Sequence, residues 1–226
     1  RQEGMINSKL IYKILGQLLF IEAFLLFVSL LVAYYYQQDD IFAFVVATLT
    51  TIGGGLILKW KGHGADNSMS RRDAYLVVSL SWIIFSLFGT LPFMVSGYIN
   101  NFTDAYFETM SGFTTTGATI LDDVECFPHG LLFWRSLTQW IGGLGIVFFT
   151  IALLPSLVGG QTTVFAAEAT GPIKTKLDPR LSTSAKWIWS IYLMLTIACI
   201  ASYYVAGMNL FDSFNYAMTT TATGGF

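Results

Sequence analysis

The sequence predicts an all-α membrane protein. Its repeating unit is a spanning helix, a short re-entrant loop and a second spanning helix, and an additional helix pair precedes the first unit. Three observations carry this. Hydrophobic residues make up 54% of the chain and charged residues only 12%, against about 25% charged in ordinary soluble domains. The apolar residues gather in five runs, each close to the roughly 20 residues that take a helix across the hydrocarbon. Two stretches, DAYFETMSGFTTTGATI from Asp104 and DSFNYAMTTTATGGF from Asp212, then repeat one pattern: an acidic start, a short apolar segment, a threonine cluster and glycine.

Taken in order, the first run is Ile14 to Tyr36, interrupted at Glu22, and the second is Ile41 to Leu58; residues 1–72 read as a two-helix hairpin. The first run is too long for a signal peptide, and no small-residue cleavage site follows it. A third run, Ala74 to Ile99, leads into the stretch from Asp104, and a fourth, Phe127 to Val158, is interrupted by Arg135; together they make the first unit, 73–158. Residues 159–186 mix apolar, basic and helix-breaking residues, including Pro172 and Pro179, and read as a connector. The fifth run, Trp187 to Ala206, and the stretch from Asp212 make a second unit, 187–226, as far as its glycine.

Basic residues set the orientation. Threading the five runs alternately puts every lysine and arginine except Arg135 on one side, which the positive-inside rule makes cytoplasmic. The outside collects Asp39, Asp40, Asp122, Asp123 and Glu125, with Asp39 and Asp40 read as solvated turns. Both repeated stretches enter from the outside.

Each repeated stretch is too short to span a bilayer. Irregular backbone is tolerated at membrane depth only where it lines a watery cavity or is buried in protein. A cation that sheds its water shell needs other oxygens, which backbone carbonyls and threonine hydroxyls supply. Aiming successive carbonyls at one axis demands unusual dihedrals, which glycine adopts freely. Gly117 and Gly225 fit that need, while Gly112 is assigned to the end of the short helix, outside the loop. A plainer reading is that each glycine only terminates a helix. Recurrence of the whole pattern after a second spanning run favours a pore lined by carbonyls.

Other polar residues point elsewhere. Arg135, within a spanning run, is costly unless paired; Glu108 on the first short helix is the nearest candidate, with Asp104 one turn earlier, and the alternative is snorkelling to the headgroups. If the first helix packs peripherally, Glu22 is expected to be protonated or hydrogen-bonded to a neighbour and outside any transport site. Gly142, Gly143 and Gly145 read as close helix packing. Cys126 and Cys199 are placed too far apart to bond, and His63 and His129 fall on opposite sides, so no metal centre of the usual kind assembles. No nucleophile, base and orienting acid come together, and no phosphate-binding glycine loop follows a strand. The sequence gives no support to an enzyme, a cofactor or a nucleic-acid partner.

The loop FETMSGFTTTGATI, the helix WRSLTQWIGGLGIVFFTIALLP after it and the second loop TTTATGGF resemble the Trk/Ktr/HKT superfamily of cation transporters, most closely its bacterial Trk-type membrane subunits. The resemblance implies helix, pore-loop and helix repeats of the potassium-channel type, four around one pore, with the first two runs as the additional N-terminal pair. The first filter segment would then be Thr114, Thr115, Thr116, Gly117 and Ala118, and the second Ala222, Thr223, Gly224 and Gly225, with the repeat alignment selecting Gly225 as the filter glycine. Glycine at 117, where sodium-preferring plant relatives carry serine, implies potassium as the transported ion. The resemblance further implies a multi-pass protein of the bacterial cytoplasmic membrane, a homodimer, and cytoplasmic nucleotide-binding regulatory subunits that dock on the connector side. Further repeats are expected in the polypeptide beyond Phe226. A secondary transporter binding an anionic substrate at broken helices is the alternative.

Overall fold

The computed structural model describes residues 6–66, 70–158 and 181–226. Among them every regular element is a helix. Helix α1 (Ser8–Tyr36) is capped by Asn7, whose side chain accepts from the Leu10 N–H at 3.2 Å, and it packs on α2 (Ile41–Lys61) as a hairpin. In lipid there is no hydrophobic drive between apolar helices, so close contact relies on small residues. Gly16 and Gly55 provide it: a β-carbon on Gly16 would lie 2.9 Å from the Gly55 carbonyl oxygen and 2.8 Å from the Lys59 nitrogen. Leu10, Ile14, Leu18, Leu26 and Ala33 line the buried face of α1, while Phe24, Leu31, Phe42, Leu49 and Leu56 point outward, as suits a lipid-facing surface.

Helix α3 (Arg71–Gly89) begins at a capping box between Ser70 and Asp73, and Asp73 also accepts from the Asn7 N–H at 3.0 Å, tying the start of α1 to the start of α3. The expected run from Ala74 to Ile99 corresponds to one candidate span, Arg72–Ser96, with an irregularity at Thr90. Thr90 divides it into α3 and the short α4 (Leu91–Ser96), where Pro92 brings no N–H for the Phe88 carbonyl four residues back; the neighbouring Gly89 carbonyl accepts from the Trp134 indole at 3.0 Å. Four described segments are long and apolar enough to cross a membrane: α1, α2, Arg72–Ser96 and Lys186–Val205.

Two twelve-residue helices, α5 (Phe102–Phe113) and α8 (Leu210–Thr221), precede the threonine-glycine loops. Between them run α6 (His129–Val158) and α7 (Leu181–Val205). The fourth run was expected to be continuous apart from Arg135, but α6 breaks at Gly145, whose φ of 70° and ψ of 137° are not helical. Glycine adopts a backbone turned to positive φ freely.

Lys13, Lys59, Lys61 and Arg72 lie towards one end of the bundle, where α1 and α3 start and α2 ends. At the other end the α1–α2 turn meets the start of α6. Asp39 is exposed there, but Asp40 is fully buried and is no solvated turn. Its Oδ2 accepts from the Leu131 N–H at 3.1 Å, and Gln38 Oε1 accepts from the His129 N–H at 2.7 Å. These N–H groups open α6 and have no partner within it. Burial pushes the Asp40 carboxyl above its ordinary value of 3.8, and the backbone donors of Leu131 and Gly130 pull it part of the way back. A β-carbon on Gly130 would overlap that carboxylate, so glycine is what lets Asp40 approach.

Glu22 also departs from expectation. It lies on the buried face of α1, not at a periphery, and neither carboxylate oxygen has a hydrogen-bond partner among the described residues. Its surroundings are the backs of α3 and α5: a β-carbon on Gly89 would be 3.4 Å from Glu22 Oε1 and would touch Thr109 and Phe113.

Candidate functional site

The two threonine-glycine loops share one backbone. Each short helix opens on an asparagine cap, Asn101 accepting from the Thr103 N–H at 3.1 Å and Asn209 from the Asp212 N–H at 2.8 Å. Asp104 and Asp212 occupy the first turns, where the positive end of the helix dipole favours a carboxylate. At the far end the chain turns left-handed on a threonine, with φ 54° at Thr115 and 59° at Thr223. The Thr116 N–H then bonds back to the Ser111 carbonyl at 3.0 Å and the Thr115 N–H to Gly112 at 2.9 Å; Gly224 to Thr219 at 3.1 Å and Thr223 to Thr220 at 2.9 Å repeat the pattern. This is the Schellman termination, here with threonine where glycine is usual. Gly117 and Gly225 follow at φ 72° and 73°.

The loops lie side by side. A β-carbon on Gly117 would overlap the carbonyl oxygen of Gly224, so the first loop closes on the second only because residue 117 has no side chain. Helix α6 passes behind both. A β-carbon on Gly142 would overlap the Phe113 carbonyl where the first loop begins, and one on Gly143 would lie 2.8 Å from Cα of Ala222 where the second begins. The expected close helix packing therefore holds at both, Gly142 against the last residue of α5 and Gly143 against Tyr192 of α7 and the C-cap of α8.

Loop one has a charged brace. Arg135 Nε donates to Glu108 Oε1 at 2.6 Å, both side chains are buried, and the snorkelling alternative does not describe Arg135. Glu108 also accepts from the Thr119 hydroxyl at 3.0 Å and the Ile120 N–H at 3.2 Å, so one carboxylate ties the returning strand of the loop to α6. The Arg135 guanidinium lies 3.7 Å from the centre of the Phe226 ring, a cation–π contact that links it to the end of loop two. It also lines a cavity of about 380 Å³ with Glu125, Asp212 and Asn215.

The other predicted positions are placed as follows. The Thr114 hydroxyl donates to the Met110 carbonyl at 2.7 Å and pairs with Thr116 at 2.8 Å. The Ala118 carbonyl accepts from Ser111 at 2.6 Å, which turns it towards α5. Gly112 lies inside α5, packed on Thr138 and Phe226. Gly224 faces Gln139, while a β-carbon on Gly225 would meet open space. Residues 159–180 of the predicted connector lie outside the described residues. Cys126 and Cys199 are free thiols, and no group of three potential metal-binding side chains occurs among the described residues. Cys126 donates to Asp123 at 2.8 Å; that bond holds the exposed Asp123 carboxyl below its ordinary range and raises the thiol.

Four contributors escaped the sequence reading. The caps Asn101 and Asn209 were visible as asparagine three residues before each aspartate. Asp40 gave no local sign, because its partner is 91 residues away. Gln139, fully buried behind both loops, is a single amide in an apolar helix and fits no pattern.

Short helix-and-loop elements set between candidate spanning helices, with one backbone in both loops, define an all-helical membrane protein of repeated design. The cation transport protein family TrkH matches residues 37–226, and the chain belongs to that family. It is 38% identical over 222 residues to the Trk system potassium uptake protein TrkH of Halomonas elongata, and 37% identical over 222 residues to that of Escherichia coli. Each alignment covers 97% of this chain and 46% of the relative, so the chain spans just under half the length of these proteins. The crystal structure of the potassium transporter TrkH from Vibrio parahaemolyticus superposes with a TM-score of 0.79 at 33% identity, over 96% of this chain and 44% of that one.

Proposed function

We propose that the two loops are the first two segments of a cation-selectivity filter, and that the protein takes up potassium across the bacterial cytoplasmic membrane. The observation that carries this is the shared loop backbone, left-handed at Thr115 and Thr223 and again at Gly117 and Gly225, with Gly117 seated on the Gly224 carbonyl. Such a backbone offers carbonyls of Thr114 to Gly117 and of Ala222 to Gly225 to a dehydrated cation. Ala118, whose carbonyl is held by Ser111, anchors the loop. In this reading residues 1–72 are a supporting hairpin, 73–158 a complete repeat, 159–186 a cytoplasmic connector and 187–226 a second repeat up to its filter. The relatives' names, Trk system potassium uptake proteins, support potassium as the ion. A homodimer and gating by nucleotide-binding subunits on the connector side belong to the same proposal.

The anionic-substrate alternative is disfavoured, because the N-termini of α5 and α8 already hold Asp104 and Asp212. The test is potassium and sodium uptake by the intact transporter carrying Gly117→Ser, with Gly53→Ser in α2, where a β-carbon meets nothing within 4 Å, as control. The potassium-to-sodium ratio should fall for the first and hold for the second. Equal ratios in all three proteins remove the loop from the filter.

A further inference from the structure

Gln139 touches both loops without belonging to either. A β-carbon on Gly224 would land on its carboxamide, 2.6 Å from Oε1, and one on Gly117 would be 3.7 Å from Nε2. Gly117 and Gly224 also touch each other, so the carboxamide completes a triangle behind the junction of the two loops. The side chain is fully buried, and neither Nε2 nor Oε1 has a hydrogen-bond partner among the described residues. A buried amide in that condition is costly, and an apolar side chain of the same shape avoids the cost. Packing therefore gives no reason for glutamine here. Its chemistry does: a carboxamide carries two N–H donors and an acceptor, and can exchange hydrogen bonds with the peptide groups of the loops it contacts.

We propose that Gln139 is a positioning residue whose carboxamide sets the spacing between Gly117 and Gly224 and, through that spacing, the preference for potassium over sodium. The inference rests on the filter reading. Selectivity in a carbonyl cage depends on its size and on the number and field of the carbonyls that reach the ion. A change in the separation of two adjacent segments alters both, whereas a residue that only fills space leaves them alone when its volume is kept.

The experiment compares the intact wild-type transporter with Gln139→Met, Gln139→Asn and Gly117→Ser, measuring potassium and sodium uptake and the thermal midpoint of each purified protein. Gln139→Met keeps the volume and removes the hydrogen-bonding groups. Its potassium-to-sodium ratio should fall at least threefold with the thermal midpoint unchanged or raised, an effect that a space-filling role does not produce. Gln139→Asn keeps the amide but withdraws it from Gly224, and its ratio should fall by a smaller factor; it decides the matter alone if the methionine variant does not fold. Wild-type ratios in the position-139 variants beside a shifted Gly117→Ser overturn the role of Gln139 and leave the filter standing. A wild-type ratio in Gly117→Ser as well overturns the filter reading, and this inference with it.

Discussion

Loop one and loop two have the same backbone and different support. Both open on asparagine, turn left-handed on threonine and continue through a glycine at positive φ. Behind loop one stands a buried ion pair; at the position of Glu108 the second repeat has Tyr216, half exposed and packed near Tyr203. Where loop one carries Thr114 and Thr116, loop two carries Ala222 and Gly224, and Gln139 occupies the space that a side chain on Gly224 would need. The backbone conformation is thus written locally, in caps and turn residues, whereas each loop is held by its own neighbours. In the filter reading, the pair is symmetric where an ion passes and asymmetric where the protein grips it.

The largest effect expected from this difference concerns the brace. Removing either charge of the Arg135–Glu108 pair strands the other in a buried site, at a cost of about 3–5 kcal/mol. Glu108→Gln and Arg135→Gln should each lower the thermal midpoint of the purified protein, exchange of the two residues should restore part of the loss, and a double-mutant cycle should show strong coupling. Tyr216→Leu, at the matching position of loop two, should cost less than about 1 kcal/mol. Equal losses in the two loops would break the comparison.

Next comes Gly117→Ser, whose β-carbon collides with the Gly224 carbonyl and also sits on a backbone at φ 72°. A relative barrier change of about 1.4 kcal/mol shifts the potassium-to-sodium uptake ratio tenfold, and a shift of that order is expected. Gly112→Ser is no control for this change, since its side chain would strike Thr138.

A smaller effect belongs to the outer end of α6, on which both loops lean. Asp40→Ala removes a cap and should cost about 1 kcal/mol, while Asp39→Ala, at an exposed site, should change stability little. The Asp40 carboxyl binds its proton more tightly folded than unfolded. Its contribution is therefore complete below pH 3.8 and declines as the pH rises through the higher folded value. Asp40→Asn should flatten that part of the stability profile in chemical denaturation.

The smallest effect tests the likeness itself. Thr115→Gly and Thr223→Gly each relieve a left-handed residue, by about 1–2 kcal/mol, offset in part by about 0.5–1 kcal/mol of added freedom in the unfolded chain. Both should stabilise by about 0.5 kcal/mol and by the same amount. Unequal values would mean that the two turns are not equivalent.

How much of this could be read from the sequence follows the range of each interaction. The loops were legible because their signals are local: threonines, glycines and aspartates recur in register, and the structure gives both short helices the same length. The proximity of Arg135 and Glu108 was suggested by scarcity, since a span with one charge needs a partner. Contacts that join distant segments left no trace. Asp40 looks like any acidic turn until α6 arrives beside it, and Glu22 looks peripheral until α3 and α5 cover it. Gly145 sits so close to Gly142 and Gly143 that one explanation seemed to fit all three, yet at Gly145 the backbone also leaves the helix, a turn that the sequence did not announce.

The Gln38–Asp40 turn has a consequence for how the protein is made. Synthesis runs from the N-terminus, so the first hairpin is in place before the segment 91 residues later leaves the ribosome. Helix α6 therefore enters a membrane that already holds the acceptors for its opening N–H groups. The first two helices supply no residue of either loop, but the turn between them holds the start of the helix against which both loops are laid.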